Sequence, residues 1–332
     1  MCCWENKLDG NIITFWSWSG KLMVLYDRFG RRLLGLRISI TSRCNYNCIF
    51  CHSEGILKEG GEELSVDEIE VLGRAAYELG IKSIKLTGGE PLLRKDIVDI
   101  VERLANIGFE DLAVTTNGYY LGQLAPVLAQ KGLKRVNINI PSLKEEVYCK
   151  ITGLNALERV LIGVEKAVKS GLKPVKINVV VLRGVNDNEV SSFIKYAKEK
   201  NLVVQFIELE PIGLEKTFFE KYFFSLAEIE KNLSRESIEK TVRLGMHGRR
   251  VYTLKNGTRV EFVRWLNNAF FCSHCTRLRV TWKGDVKTCI WRAPVLSLKD
   301  ALKSGDVEEV KRLLIKALIL RTPFYRVDPY ED

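Results

Sequence analysis

Between Leu36 and Leu209, six short runs rich in β-branched residues alternate with longer amphipathic ones, and this alternation narrows the folds open to the chain. The short runs are LRISI (36–40), IKSIKLT (81–87), DLAVTT (111–116), KRVNINI (134–140), KPVKINVVV (173–181) and LVVQFIEL (202–209). Ser65 and Glu68 read as a capping box that opens the first helix. Further helices are expected from Lys95 to Ile107, up to Lys131, and over 187–200. Leu157, Val160, Leu161, Val164, Ala167 and Val168 recur at spacings of three and four, which is one apolar helical face. Strand–helix units joined by short loops imply parallel strands and right-handed crossovers. Six units fall short of the eight that close a barrel. The pattern therefore predicts an α/β fold, a partial (β/α)6-type TIM barrel over residues 23–213, with a C-terminal region over 214–332 closing it. A doubly wound open sheet is the competing arrangement.

The strands carry a second pattern. Leu36, Ile38 and Ile40 point one way, and Arg37, Ser39 and Thr41 the other. Lys85 shares a face with Thr87, Asn137 with Asn139, and Lys176 with Asn178. Parallel strands covered on both faces read as nearly continuous apolar runs, whereas here one face is polar in strand after strand. Burying polar groups without partners is costly, so the polar face reads as the wall of a polar cavity. A solvent-exposed face is the alternative.

Six of the nine cysteines form two triplets. Cys44, Cys48 and Cys51 follow a C-x3-C-x2-C spacing, and Cys272, Cys275 and Cys289 a C-x2-C-x13-C spacing. A zinc ribbon would show two paired C-x2-C units, and a structural zinc site needs four ligands, so either triplet would have to borrow His52 or His274. The other reading is a cubane iron–sulfur cluster, in which three thiolates hold three irons and the fourth iron is open to a ligand. An open coordination position belongs to a catalytic site rather than a structural one. Cys149 reads as a packed thiol, and Cys2 and Cys3 as a vicinal pair in a loose terminus.

Composition excludes some classes and leaves others. Hydrophobic residues at 46% and charged residues at 28% are ordinary for a soluble globular chain. No apolar run approaches the roughly 20 residues that span a membrane. Residues 1–22 hold three of the six Trp but lack the basic start and apolar core of a signal peptide. They read as an atypical, frayed N-terminal extension, with Met23 as a natural start. Without a leader, disulfides are not expected and a cytoplasmic location is. The net charge of +10 and pI of about 9.1 suit a polyanionic ligand, either a nucleotide triphosphate or a nucleic acid. No basic tail gathers the charge, which argues against nucleic acid.

The first cysteine triplet resembles the signature of radical S-adenosylmethionine (SAM) enzymes, and TGGEP (87–91) after the second strand resembles their glycine-rich motif. The second triplet, within FCSHCTRLRVT, narrows the likeness to the GTP 3′,8-cyclase family of molybdenum cofactor biosynthesis. LRISITSRCNYNCIFC, IKLTGGEPLLRKDI, TTNG, YCKITG, PVKINVVVLRGVND and FIELEPIG add to it, from about Met23 to Trp291. YDRFG and CHSEG look like archaeal members. The resemblance implies two [4Fe-4S] clusters, one on each triplet, with S-adenosylmethionine at the first. It implies reductive cleavage of that cofactor to a radical which takes hydrogen from substrate, and binding of guanine at the second cluster. It further implies cofactor contacts from Tyr46, Cys51, Gly88, Gly89, Thr115 and Asn139, with Asn117 nearby. Substrate contacts would come from Arg37, Lys85, Lys176, Asn178, Arg277 and Arg279, arginine forks being suited to phosphate oxygens.

As partners the resemblance implies GTP, an external one-electron donor and a downstream cyclic pyranopterin monophosphate synthase. It allows a homodimer and requires neither membrane nor nucleic acid. Three positions depart from the family pattern. Gln205 stands where arginine is usual, so a phosphate contact is weakened or supplied elsewhere. Asn139 and Pro141 stand where Ser and Asp are common. The chain ends VDPYED, without the family's glycine-pair tail. A two-cluster enzyme acting on another purine nucleotide or a peptide, and a non-enzymatic zinc or nucleic-acid-binding protein, are the alternatives.

Overall fold

The computed structural model describes residues 5–8, 12–16, 23–56, 61–266 and 268–323. Strands Gly35–Ser39, Ser83–Thr87, Asp111–Thr116, Arg135–Asn139, Val175–Val181 and Val203–Glu208 lie side by side in chain order, each parallel to the next. A doubly wound sheet reverses its strand order partway across. This one does not, so the connections wind in one sense, as in a partial barrel.

The periodicities act as expected. Leu36, Ile38 and Ile40 are at most 1% exposed. They pack beneath the helices, while Arg37 faces the other way. The helix Val66–Glu78 opens on the capping box, with the Glu68 amide donating to Ser65 Oγ at 3.2 Å and the Ser65 amide to Glu68 Oε2 at 2.7 Å. The helix Leu157–Lys169 buries Leu157, Val160, Val164 and Ala167 on one face. The expected helix over 187–200 begins as a 3-10 turn, Asp187–Glu189, and is α-helical over Val190–Glu199.

The rest of the chain extends both edges of the sheet. Arg259–Val263 adds in parallel to Val203–Glu208, and Arg249–Leu254 and Ser237–Arg243 follow antiparallel. At the opposite edge Arg277–Val280 adds in parallel to Gly35–Ser39, followed by Asp285–Lys287 and Leu296–Ser297. The segment from Val263 to Arg277 therefore crosses from one edge to the other and carries Cys272 and Cys275 with it. The helix Val307–Ile319 packs on Val66–Glu78. Among the described residues no helix is long and apolar enough to cross a membrane. At the start of the chain, Glu5–Leu8, Ile12–Trp16 and Met23–Tyr26 form a small antiparallel sheet. Cys2, Cys3 and the terminal VDPYED lie outside the described residues.

Candidate functional site

The C-terminal ends of all six barrel strands open into one cavity of about 310 Å³, within the size of small-molecule sites. Both cysteine triplets face it. The first occupies the loop after Gly35–Ser39 and is held from three sides. The amides of Asn47 and Ile49 donate to the Thr152 and Ile151 carbonyls at 3.1 and 3.0 Å, which gives YCKITG its structural purpose. Tyr46 meets the buried Tyr148 hydroxyl to hydroxyl at 2.9 Å. Asn117 Nδ2 donates to Asn45 Oδ1 at 2.8 Å.

The glycine pair completes the cradle. Gly89 N donates to Thr41 O at 2.9 Å and Glu90 N to Arg43 O at 2.8 Å. A Cβ on Gly88 would overlap the Thr41 carbonyl oxygen, and one on Gly89 that of Arg43. Only glycine lets the two turns approach this closely. Behind them Glu90 is fully buried and accepts from the Asn117 amide at 2.6 Å, Thr116 Oγ1 at 2.7 Å and the Leu92 amide at 2.9 Å.

The donor sets fit the implied clusters. All six cysteines are free thiols, and thiolate sulfur is the soft ligand that iron–sulfur clusters take. Burial pushes the Cys48 thiol up, with Cys51 and Cys44 adding to the effect. Among the described residues no three His, Cys, Asp or Glu side chains converge as ligands of a single metal ion do. All six thiols line the cavity. Cys149, in the helix Glu145–Thr152, is half-buried and does not reach the cavity.

Between the triplets runs a row of cations. The strand register sets Arg279 opposite Arg37, and Arg37 opposite Lys85. Like charges directly across a sheet are destabilising. Arg37 and Arg279 share one acid, Glu54. The side chains of Arg277 and Lys85 make no hydrogen bond or ion pair among the described residues. Burial, reinforced by Arg135, Arg37 and Arg277, pulls Lys85 well below its ordinary range. His247 joins this wall, its ring stacked on Phe271 at 4.3 Å and its Nδ1 without a partner among the described residues. Burial and the nearby Arg277, Arg249 and Arg279 pull its pKa well below the ordinary histidine value. Three half-buried arginines, Arg37, Arg277 and Arg279, thus face the cavity with the acid Glu54 between them, an arrangement that a polyanion would stabilise.

Of the cluster, cofactor and substrate residues that the resemblance implies, all but one line this cavity: the six cysteines, Tyr46, Gly88, Gly89, Thr115, Asn117, Asn139, Asn178, Arg37, Lys85, Arg277 and Arg279. Lys176 does not. It is 2% exposed and spent on a 2.6 Å ion pair with Glu261. The reason is the added strand Arg259–Val263, which brings Glu261 beneath the cavity, opposite Gln205. Glu54, Arg249 and His247 are among the lining residues that the sequence reading missed. Glu54 was visible in CHSEG, as an acid directly after the triplet. Arg249 and His247 come from the added hairpin, and no local signal marks them. Arg249 bears on the Gln205 departure: its Nη1 donates to Gln205 Oε1 and to Glu261 Oε2, the latter at 3.0 Å. It thus puts a guanidinium beside the position where the chain lacks one. Gln205 in turn donates to Asn178 at 3.2 Å, and Asn178 to Asn139 at 3.0 Å.

Residues 38–197 match the family model described as the Radical SAM superfamily, and residues 202–327 that described as Molybdenum Cofactor Synthesis C. Among curated proteins, the chain is 44% identical over 310 residues to a Thermococcus kodakarensis protein named "Probable GTP 3′,8-cyclase", covering 91% of this chain and 100% of that one. A Methanothermobacter marburgensis protein of the same name is 43% identical over 306 residues, covering 92% and 100%. Among solved structures, Streptococcus suis SuiB bound to precursor peptide SuiA aligns with a TM-score of 0.62 at 14% identity, over 89% of this chain and 69% of that one. The structure of anSMEcpe with bound AdoMet aligns with a TM-score of 0.57 at 19% identity, over 87% and 84%. At such identities these two likenesses bear on the fold alone.

Proposed function

The chain belongs to the GTP 3′,8-cyclase family of the radical SAM superfamily, and from that premise we propose that it converts GTP to 3′,8-cyclo-7,8-dihydro-GTP, the first step of molybdopterin biosynthesis. One observation supports this reading most: two cysteine triplets and a row of cations with the acid Glu54 shared between two of them line a single cavity. Cys44, Cys48 and Cys51 would hold one [4Fe-4S] cluster with S-adenosylmethionine, and Cys272, Cys275 and Cys289 a second. When bound, the first cluster and S-adenosylmethionine supply a carbon-centred radical that takes a hydrogen atom from the substrate.

The protein's part is position and exclusion. Gly88 and Gly89 let their turn close on the cysteine loop, and the cofactor's methionine end would sit on the cavity side of that contact. Tyr46, Thr115 and Asn139 border the same space. Arg37, Arg277, Arg279 and Lys85 would take the triphosphate, and Arg249 supplies charge where Gln205 cannot. The guanine then lies toward the second triplet, between the two cysteine loops. We further propose a cytoplasmic enzyme that draws on an external one-electron donor and passes its product to a cyclic pyranopterin monophosphate synthase.

The test is anaerobic incubation of the iron-loaded protein with GTP, S-adenosylmethionine and a reductant, followed by product analysis. The cyclic nucleotide should form, and Cys48→Ala should abolish cofactor cleavage while iron at the second triplet persists. Cofactor cleavage with GTP left unchanged would refute the reading.

A further inference from the structure

Glu54 occupies the place where an anionic ligand would be expected. Its carboxylate accepts from Arg37 Nη1 at 3.2 and 3.4 Å, from Arg279 Nη1 at 2.5 Å and from Thr87 Oγ1 at 2.7 Å. It is 8% exposed and lines the cavity. Burial alone would raise its pKa, but Arg37 and Arg279 hold the carboxyl well below the ordinary range. It is therefore an anion already seated on two of the cations assigned to the triphosphate.

The backbone beneath it is strained. Ser53 and Glu54 adopt φ of 45° and 52°, left-handed values uncommon for residues with a side chain. Lys287 Nζ secures the turn by donating to Glu54 O at 3.3 Å, Ile290 O at 3.1 Å and Gly55 O. Cys289 lies between Lys287 and Ile290, and Cys51 lies three residues before Glu54. The Glu54 turn thus ties the first cysteine loop to the second.

Resting on the triphosphate site described above, we propose that Glu54 is a built-in competitor for polyphosphate: it holds Arg37 and Arg279 when no substrate is bound and is displaced when substrate phosphates take them. A carboxylate offers two oxygens in the geometry that a phosphate offers to the same guanidinium fork. It cannot share both arginines with a triphosphate without like-charge contact. Releasing it frees a strained turn that is joined to both cysteine loops, so arrival of substrate is felt at both.

The experiment compares wild-type, Glu54→Gln and Glu54→Gly proteins, purified anaerobically and matched in iron content. The glycine variant suits the left-handed backbone, so it keeps the test open if the glutamine variant folds poorly. Calorimetry is run with GTP, inorganic triphosphate and guanosine. If the released state is a minor one, populated at 10% or less, apparent affinity is reduced by that fraction, and removing the carboxylate should tighten binding by roughly 10-fold or more. GTP and triphosphate should both gain, and guanosine should not. Unchanged or weaker triphosphate binding in both variants would overturn the proposal, since a carboxylate that merely orients the arginines would weaken binding when lost. An equal gain for guanosine would overturn it too. Stronger triphosphate binding with no GTP binding in any protein would instead sink the guanosine reading and leave the competitor role standing.

Discussion

Replacing Gly89 with alanine tests whether the close approach of two turns forms the cofactor's seat. A methyl group there would overlap the Arg43 carbonyl oxygen and stand 2.7 Å from the Ser42 oxygen, whereas ordinary van der Waals contact begins at 3.4 Å. Both neighbours are backbone, so no side chain can swing aside. The cysteine loop or the glycine turn must move by at least about 0.7 Å, the difference between those distances. The hydrogen bonds of Gly89 and Glu90 to Thr41 and Arg43 would lengthen with it. Overpacking of this kind costs about 1–3 kcal/mol of stability, and a misplacement near 1 Å costs about 100-fold in rate. Gly122→Ala is the control. Its methyl would meet nothing closer than 3.8 Å, and it lies inside the helix Leu121–Gln130, where alanine is favoured by roughly 1 kcal/mol. Thermal unfolding and S-adenosylmethionine cleavage are measured on iron-matched proteins. Gly89→Ala should melt lower and cleave about 100-fold slower, while Gly122→Ala should melt no lower and cleave normally. Normal cleavage by Gly89→Ala would mean that the close approach of the two turns does not form the cofactor's seat.

Two further predictions concern buried charge. Lys176→Met leaves Glu261 paired with Arg249 and Arg243, so it should cost less than the roughly 3–5 kcal/mol of a fully orphaned partner. Chemical denaturation should show that loss while GTP affinity stays within about 3-fold, since Lys176 is away from the cavity wall; a loss above about 10-fold would return it to the substrate site. Burial pushes Glu90 up to about 7, against the donors around it. A carboxyl raised in this way favours the fold fully below its ordinary 4.5 and loses that contribution as pH rises through about 7, on the order of 3 kcal/mol at 1.36 kcal/mol per pH unit. The wild-type protein should therefore lose stability relative to Glu90→Gln between about pH 4.5 and 7, and parallel unfolding profiles for the two would contradict this.

Much of this arrangement is legible in the sequence because local chemistry determines it. Period-two alternation in Leu36–Ile40 sorts the helix-covered face from the cavity face, and the two triplets carry their spacing openly. The Ser65 and Glu68 pair announces its helix in four residues. Long-range register is harder to read. Lys176 shares a face with Asn178, as the alternation requires, yet a strand more than 80 residues away covers it with Glu261. Arg249 reaches Gln205 for the same reason, through an added hairpin that no local pattern assigns to an edge. Glu54 was legible as an acid but not as a partner, because its contacts with Arg37, Thr87 and Arg279 depend on three different strands.

If the cations between the cysteine loops bind the substrate's triphosphate, the GTP affinity of Arg277→Ala must report it. Arg277 has no acid partner among the described residues, so its loss frees no competing side chain. It lines the cavity two residues after Cys275, in the strand Arg277–Val280. A charge-assisted contact is worth about 1.5–3 kcal/mol, which corresponds to roughly 10- to 150-fold in Kd. Anaerobic calorimetry with both cysteine sites fully iron-loaded should show a loss in that range, with Arg277→Lys recovering only part of it because the planar fork is gone. Unchanged GTP affinity in Arg277→Ala, with iron content intact, would contradict the account.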